Sequence, residues 1–518
     1  MKKIITLLLS IVITNLLQAQ ITFQKTYGTA SSEKGVSCLQ TTDGGFLSAG
    51  DSPEWGEIFM VKTDEQGNLL WAKEYLFSGA TYGEVRHVMQ SSDGGFLING
   101  CVELTSINVD IYIIKTDSMG NLLWSKTFGG LTDDFSYQAD ETADGGFVIV
   151  GSSNFTCLLF KVDSNGNFKW SKLYYGAIEG FDVKQTADGG FCIASAMDDG
   201  IGINQDMLLI KTDNAGDFLW AQSYSAGDFE AACNVKQISD GGFIISGIEG
   251  NVYLSNYDVF LVRTDSLGNM VWAKSFGGPR WEYPAWVDQT SDGGFVSGGS
   301  WSYNNIPDYY LLKTDSSGTL QWSNRYGTST SEYSFGSGQK TSDQGFVMTA
   351  STLMGFGTSD FLLIKTDSLG NSGCYQTVAP TIVATLSVQV FPQFLMTSTA
   401  GSIASAFPIV SSVGNDSVLC YNSPTGIYEA SANNTSLSVY PNPFSNSTII
   451  SFSLLQSQNI SLRVFDMNGR LISILADKIF DAGENEILWN ADEVNAGIYF
   501  LQLQSSENVQ TKKLILTK

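Results

Sequence analysis

The chain is 518 residues long, with a formal net charge of -24 and a 43% share of hydrophobic residues. That length exceeds what one hydrophobic core supports, about 250 to 300 residues, unless the chain repeats. The acidic balance excludes nucleic acid and anionic membrane surfaces as partners, because both demand a basic face.

The chain opens with Lys2 and Lys3, an apolar run from Ile4 to Leu17, and Gln18-Ala19-Gln20. This reads as a secretory signal peptide over residues 1–19, cut after Ala19. No later run of about 20 apolar residues follows, so no transmembrane span is expected in the mature chain.

From residue 20 the sequence repeats. Asp-Gly-Gly-Phe begins at Asp43, Asp93, Asp144, Asp188, Asp240 and Asp292, and Asp-Gln-Gly-Phe at Asp343, in steps of 50, 51, 44, 52, 52 and 51. Lys-Thr-Asp or a close variant recurs once per unit, ending at Asp64, Asp117, Asp163, Asp213, Asp265, Asp315 and Asp367. Seven positions after six of these come Trp71, Trp124, Trp170, Trp220, Trp272 and Trp322. Each unit predicts four short strands, as in 234–238, 243–247, 258–264 and 269–276. Asp-Gly between the first two predicts a two-residue type I′ hairpin, and Asp-x-x-Gly-Asn between the last two predicts a turn with a left-handed glycine. Four-stranded units of about 40 to 50 residues predict propeller blades. The seventh unit lacks its last strand, while Phe23 to Gly28 matches Trp124 to Gly129 position for position, so the N-terminus is expected to complete the ring. The repeats resemble those of secreted bacterial β-propeller proteins over residues 21–371. The expected domain is a seven-bladed β-propeller, closed by an N-terminal strand, spanning residues 20–371.

Within the repeat, the aspartates and tryptophans suit structural work better than a calcium site, since no Asp-x-Asp-x-Asp-Gly loop is present. One histidine, His87, and seven cysteines without a C-x-x-C pair leave a zinc site or a Ser-His-Asp triad to converge on that single residue. No metal or cofactor is expected. The connections between units each carry an acid 9 to 11 residues before the turn aspartate: Glu33, Glu84, Asp134, Glu179, Glu230, Glu282 and Glu332. These predict an acidic ring on the loop-bearing face, either as strand caps or as a polar rim. Aromatic residues concentrate in units five and six, at Trp281, Tyr283, Trp286, Trp301, Tyr303 and Tyr309, with Trp55 in the first unit. Beside Glu282 and Asp308, exposed rings of this kind suit sugar faces and hydroxyl groups.

Residues 372–436 lose the repeat and become rich in Ser, Thr, Ala and Val, reading as a spacer with a strand or two near 382–391. Cys374 and Cys420 bracket this stretch. In an oxidising compartment a disulfide between them and two free thiols are equally open readings. From 437 to 518 the alternation of Ile460, Leu462 and Val464 and the Asn468-Gly469 turn predict a small β-sandwich. Tyr440-Pro441-Asn442-Pro443-Phe444, Val464 to Arg470, Ala482 to Asn485, Ala496 to Phe500 and Lys512-Lys513-Leu514 follow in order. These five blocks resemble the type A sorting domain of type IX secretion. The resemblance implies a partner, the type IX secretion machinery acting through residues 437–518, and a location in the medium or on the cell surface.

Two functional classes follow. The favoured one is a non-enzymatic binding or adhesion module for a glycan or surface-protein ligand. The alternative is a secreted glycan-active hydrolase, with Glu282 and Asp308 as its acid and base.

Overall fold

The computed structural model describes residues 20–517 apart from 53–55, 105–107, 199–204, 228, 252–255, 279–280, 304–305, 328–331, 334–335, 356, 399–401, 406–408, 413–414, 423–436, 455–456, 467–469, 493 and 505–508. The expected signal peptide, Trp55 and the Asn468-Gly469 turn therefore lie outside the described residues, as do the side chains of Tyr303, Glu332 and Cys420. Every described element is a β-strand. The chain forms two units, Gln20–Asn422 and a second that holds Ser423–Lys518.

The larger unit contains seven antiparallel sheets. In the first, Lys34–Gln40 lies innermost and is followed outward by Phe46–Asp51, Glu57–Thr63 and Leu69–Leu76. The next five repeat this order. In the seventh, Phe346–Thr352 and Asp360–Thr366 are followed by Thr22–Gly28, the N-terminal strand, which pairs with Asp360–Thr366 from Phe23↔Lys365 to Tyr27↔Phe361. A buried apolar cluster fills each gap between consecutive sheets, and the gap between the seventh and first holds Phe23, Tyr27, Phe46, Phe59 and Phe361. The all-β propeller is thus a closed ring.

Turn chemistry explains the repeated motif, with one correction. Gly44 N donates to Thr41 O and Thr41 N to Gly45 O, each at 2.9 Å, so the loop has three residues rather than two. Only Gly44 takes a positive φ, 87°. This is the turn with a following left-handed residue, not the type I′ hairpin. Asp43 has ordinary φ, and its carboxylate accepts from Gly45 N at 3.1 Å and from Lys62 Nζ at 3.1 Å. The same pairing of turn aspartate and third-strand cation recurs in every unit, from Lys115 with Asp93 to Lys365 with Asp343. The second turn matches its expectation, because Asp64 Oδ1 accepts from Gln66 N and Asn68 N while Gly67 is left-handed.

Each fourth-strand tryptophan rests on the next sheet. Trp71 lies 6.2 Å from Phe96 and directly over Gly120, where a Cβ would come within 2.9 Å of the indole. Phe23 plays this part for the seventh sheet, 5.7 Å from Phe46 and over Gly67. Burying a ring of this size contributes about 1.5 to 3 kcal/mol.

Residues 376–422 are not a spacer. They lay one more strand on the outside of every sheet: Gln376–Val378 on the sixth, Ile382–Thr385 on the fifth, Gln389–Gln393 on the fourth, Met396–Ser398 on the third, Ser402–Ser405 on the second, Ile409–Ser412 on the first and Asn415–Asn422 on the seventh. The belt therefore circles the propeller backwards. Opposite the fourth-strand rings Tyr326, Phe276, Tyr224, Tyr174, Phe128, Tyr75 and Tyr27 stand Gln376, Val383, Val390, Thr397, Ile403, Val410 and Asp416. A step of about seven residues is one extended strand segment plus its crossing. Backbone hydrogen bonds to a previously open edge hold the belt, while Ala379 and Leu395 between its strands are buried in the inter-sheet clusters.

The second unit has a three-stranded sheet, Leu437–Tyr440, Ser447–Leu454 and Gly483–Asn490, and a four-stranded one built on Gln458–Asp466. They share a core that includes Phe444, Ile450, Phe452, Ile460, Leu462, Val464 and Trp489.

Candidate binding site

The innermost strands converge on the ring axis, and their side chains there follow two rules. Three positions before each turn aspartate stands Gln40, Gln90, Glu141, Gln185, Gln237, Gln289 or Lys340. This position stitches the sheets together. Thr42 N donates to Gln90 Oε1 at 2.8 Å, Ser92 N to Glu141 Oε2 at 2.7 Å, Ala143 N to Gln185 Oε1 at 2.7 Å and Ala187 N to Gln237 Oε1 at 2.8 Å. Ser239 N donates to Gln289 Oε1 at 2.9 Å, and Ser342 N closes the circle on Gln40 Oε1 at 2.7 Å. Between the sixth and seventh sheets Lys340 Nζ donates instead to Gln289 O at 2.9 Å.

Four and six positions before the aspartate, the residue changes from sheet to sheet. The outer row is Ser37, His87, Gln138, Asp182, Asn234, Trp286 and Ser337, and the inner row is Leu39, Met89, Asp140, Lys184, Lys236, Asp288 and Gln339. All but Ser37 line one axial cavity of about 380 Å³, which extends to Thr42 beside the first Asp-Gly turn. That volume lies within the range of small-molecule sites. In the first six sheets the outer row follows the same bulge of the innermost strand, so the residue choice there is not imposed by the repeat.

Two ion pairs stand in the cavity, with Asp140 as a third carboxylate beside Lys184. Lys184 Nζ sits 2.9 Å from Asp182 Oδ1, and Lys236 Nζ 2.9 Å from Asp288 Oδ1. Burial works against the Lys184 ammonium, but Asp182 and Asp140 outweigh it and hold the lysine charged. Asp140 and Asp182 each use one oxygen on the next sheet, accepting from Gln185 N at 2.8 Å and Val235 N at 3.0 Å. Burial, helped by the Lys184 cation, depresses His87 to about 3, so its imidazole is neutral. On the third sheet, Gln138 Oε1 is buried without a protein hydrogen-bond partner, whereas His87 on the second stands against Asn99. Buried polar atoms rarely stay unpaired, which makes Gln138 the natural contact for something in the channel.

The acids expected as a ring behave as anchors at the sheet junctions. Apart from Glu33, which immediately precedes Lys34–Gln40, they fall in the first residues of the innermost strands, where pairing continues through a β-bulge such as that between Ala232 and Asn234. Glu33, Asp134, Glu230 and Glu282 are buried. Glu33 accepts from Thr29 N at 3.2 Å and Asp134 from Gly130 N at 2.8 Å. Glu84 binds Arg86 at 2.5 Å, and Glu179 accepts from Tyr137 Oη at 2.7 Å. Glu332 lies on the short strand Glu332–Tyr333.

The aromatic group of sheets five and six divides. Trp286 is 4% exposed, donates to Tyr309 Oη at 2.8 Å and packs near Phe346, so it is core as well as channel wall. Trp301 is also 4% exposed, with the Arg325 guanidinium 4.7 Å from its ring. These two are not the exposed anchors expected. Trp281 and Tyr283 are half-buried, with rings 5.4 Å apart, and extend through Tyr257 to Phe229 in a row that the sequence reading missed. Tyr303 ends the strand Phe295–Tyr303.

The proposed acid and base lie in one row of the sheet with Trp301 between them, and each has another partner. Arg325 Nε holds Asp308 Oδ2 at 3.1 Å, whereas Glu282 hydrogen-bonds Asp258. Burial first, and the Asp258 charge second, push the Glu282 carboxyl well above the usual carboxylate range. Among the described residues no His, Cys, Asp and Glu cluster suits a metal.

In the second unit, Asn442 ties the first motif block to the last, its Nδ2 donating to Lys513 O at 2.7 Å and its Oδ1 accepting from Ile515 N at 2.8 Å. No curated protein matches the sequence. Among solved structures the chain is similar to a puromycin hydrolase, at 12% identity and a TM-score of 0.41, covering 82% of this chain and 59% of that one. It is also similar to Sqt1 from Chaetomium thermophilum, at 9% identity and a TM-score of 0.35, covering 67% of this chain and 99% of that one. The chain spans less than two thirds of the hydrolase's length, and likeness at this level bears on neither activity nor substrate. Residues 438–517 match the family described as the secretion system C-terminal sorting domain. With its motif blocks joined in one β-domain, this tail is the sorting domain of type IX secretion, which marks the chain as a secreted or cell-surface protein.

Proposed function

We propose that the chain is an exported, non-enzymatic binding protein whose propeller takes a neutral, hydroxyl-rich ligand, a glycan unit, in its axial channel. The sheet-by-sheet change of the two channel rows, beside a stitching row that stays nearly constant, is the observation that carries this reading. Both cavity lysines are held in ion pairs, Lys184 with Asp182 and Lys236 with Asp288, while His87, Gln138, Asn234 and Gln339 offer donors and acceptors, and Leu39, Met89 and Trp286 offer apolar faces. This is the mixture that sugar rings use.

A glycan array probed with the mature chain, followed by titration of hits against Gln138→Ala and Lys236→Ala, tests the site. Each substitution should weaken binding about tenfold, or about 1.4 kcal/mol, and Gln138→Ala should do so with an unchanged melting temperature. Full affinity in both variants, with loss in Trp281→Ala, would move the site to the row Phe229, Tyr257, Tyr283 and Trp281. Export is tested by truncation after Ser436: the shortened chain should stay in the periplasm, and its efficient release would remove the tail from that role.

A further inference from the structure

The belt begins and ends at cysteines. Cys374 stands just before its first strand, Gln376–Val378, and Cys420 lies in its last, Asn415–Asn422. Cys374 is disulfide-bonded. Cys38, Cys101, Cys157, Cys192 and Cys233 are free thiols. Having circled the propeller, the belt returns to its start. Cys420 is the register partner of Gln24, and Gln24 Nε2 donates to Cys374 O at 2.7 Å.

We propose that Cys374 is bonded to Cys420 and that this bond closes the belt into a covalent hoop around all seven sheets. The order of pairing, sixth sheet back to first and then seventh, takes the closed loop once around the ring. An open belt can peel from either end, one sheet's few hydrogen bonds at a time. A closed one has no end, so detaching it requires several sheets to let go together. Closing a loop of ~47 residues shifts the detachment equilibrium by about a thousandfold in the chain-entropy treatment. The bond forms when the two thiols pass two electrons and two protons to a disulfide-bearing oxidant by thiol–disulfide exchange, chemistry that an exported chain meets outside the cytoplasm. The other five thiols are poor competitors. Each lies in the propeller core or at its edge, and burial raises Cys157, Cys192 and Cys233 to about 12.

The mature chain, denatured without reductant, should alkylate at five cysteines, and at seven after reduction. The sequence has no Lys or Arg between Lys365 and Arg463, so chymotrypsin, which cuts at Phe394, is the mapping enzyme. It should yield one linked pair containing Cys374 and Cys420, and seven reactive thiols or a different partner for Cys374 would overturn the hoop. Phe394 is 90% exposed and flanked by belt strands, so its cleavage reports belt detachment. Native chymotrypsin digestion should cut there at least about 100-fold faster after mild reduction, and equally fast in Cys374→Ser/Cys420→Ser. If that variant does not fold, reduction of the folded wild type supplies the same comparison, and an unchanged cutting rate overturns the role.

Discussion

Each sheet of the propeller has two edges, and the molecule protects them by different means. At the axis, seven strand edges meet and are joined by side chains: the glutamine row bridges neighbouring turns, and Asp140 and Asp182 reach to the next sheet's backbone. At the perimeter the edges diverge, and each is covered by a borrowed strand held through backbone pairing. Ile382, Phe394 and Met396 are 71, 90 and 74% exposed. The lesson is that an edge can be closed by side-chain identity or by backbone alone, and only the first leaves a residue-level mark on the repeat.

The sharpest way to break the comparison is to remove Thr22–Gly28, the strand from the other end of the chain on which the seventh perimeter edge is built. It fills the seventh sheet and carries the belt's last strand, so its deletion should abolish cooperative thermal unfolding or cause aggregation. A monomeric product with an unchanged melting curve would refute the closed ring. Next, Trp286→Ala should cost about 3 to 5 kcal/mol by denaturant unfolding, because the indole fills the junction of sheets six and seven. Trp281→Ala, at a half-buried site, should cost well under half as much, and equal losses would erase the division drawn within that aromatic group.

Glu282 tests the sheet junctions by pH. A raised carboxyl pKa means that the folded state holds its proton more tightly than the unfolded chain. The stability it contributes is therefore present in acid and is lost as pH rises above about 4.3 toward the folded value. Glu282→Gln should accordingly gain roughly 1 to 2 kcal/mol over wild type at pH 8 and little at pH 4. A pH-independent difference in melting temperature would contradict this. At the axis, Gln289→Ala should cost about 1 kcal/mol, the worth of one partly buried hydrogen bond. The smallest effect is expected on the belt, where Ile382→Ser should stay within about 0.5 kcal/mol of wild type.

Legibility in the sequence follows the same divide. The blades were readable because tight turns force Asp and Gly, and inter-sheet packing forces Trp and Phe, at a fixed interval. Strand closure was readable because Phe23 copies a tryptophan's packing role. The hairpin type was misjudged because Asp-Gly does not say whether the aspartate serves through its φ or its carboxylate; here it is the carboxylate. Glu282 looked like a surface group because the bulged start of the inner strand was read as loop, and Trp301 because the second strand, Phe295–Tyr303, runs on beside it. The belt escaped notice because backbone pairing asks only for a short extended segment about every seven residues, a period hidden inside a Ser- and Thr-rich stretch and unrelated to the 50-residue repeat. The channel rows were also within reach: they are the repeat positions that vary while their neighbours hold.

The backward path of the belt also fixes the number of blades. Repeat proteins gain units easily by duplicating one segment of the gene. In this chain an eighth blade of about 50 residues would leave one outer edge bare and the belt short by a step. The duplication would succeed only together with an insertion of six or seven residues elsewhere, in a segment with no similarity to the blade it must serve. Ordinary unequal exchange between repeats does not supply such a coupled change, so the belt holds the ring at seven across generations as well as within one folded molecule.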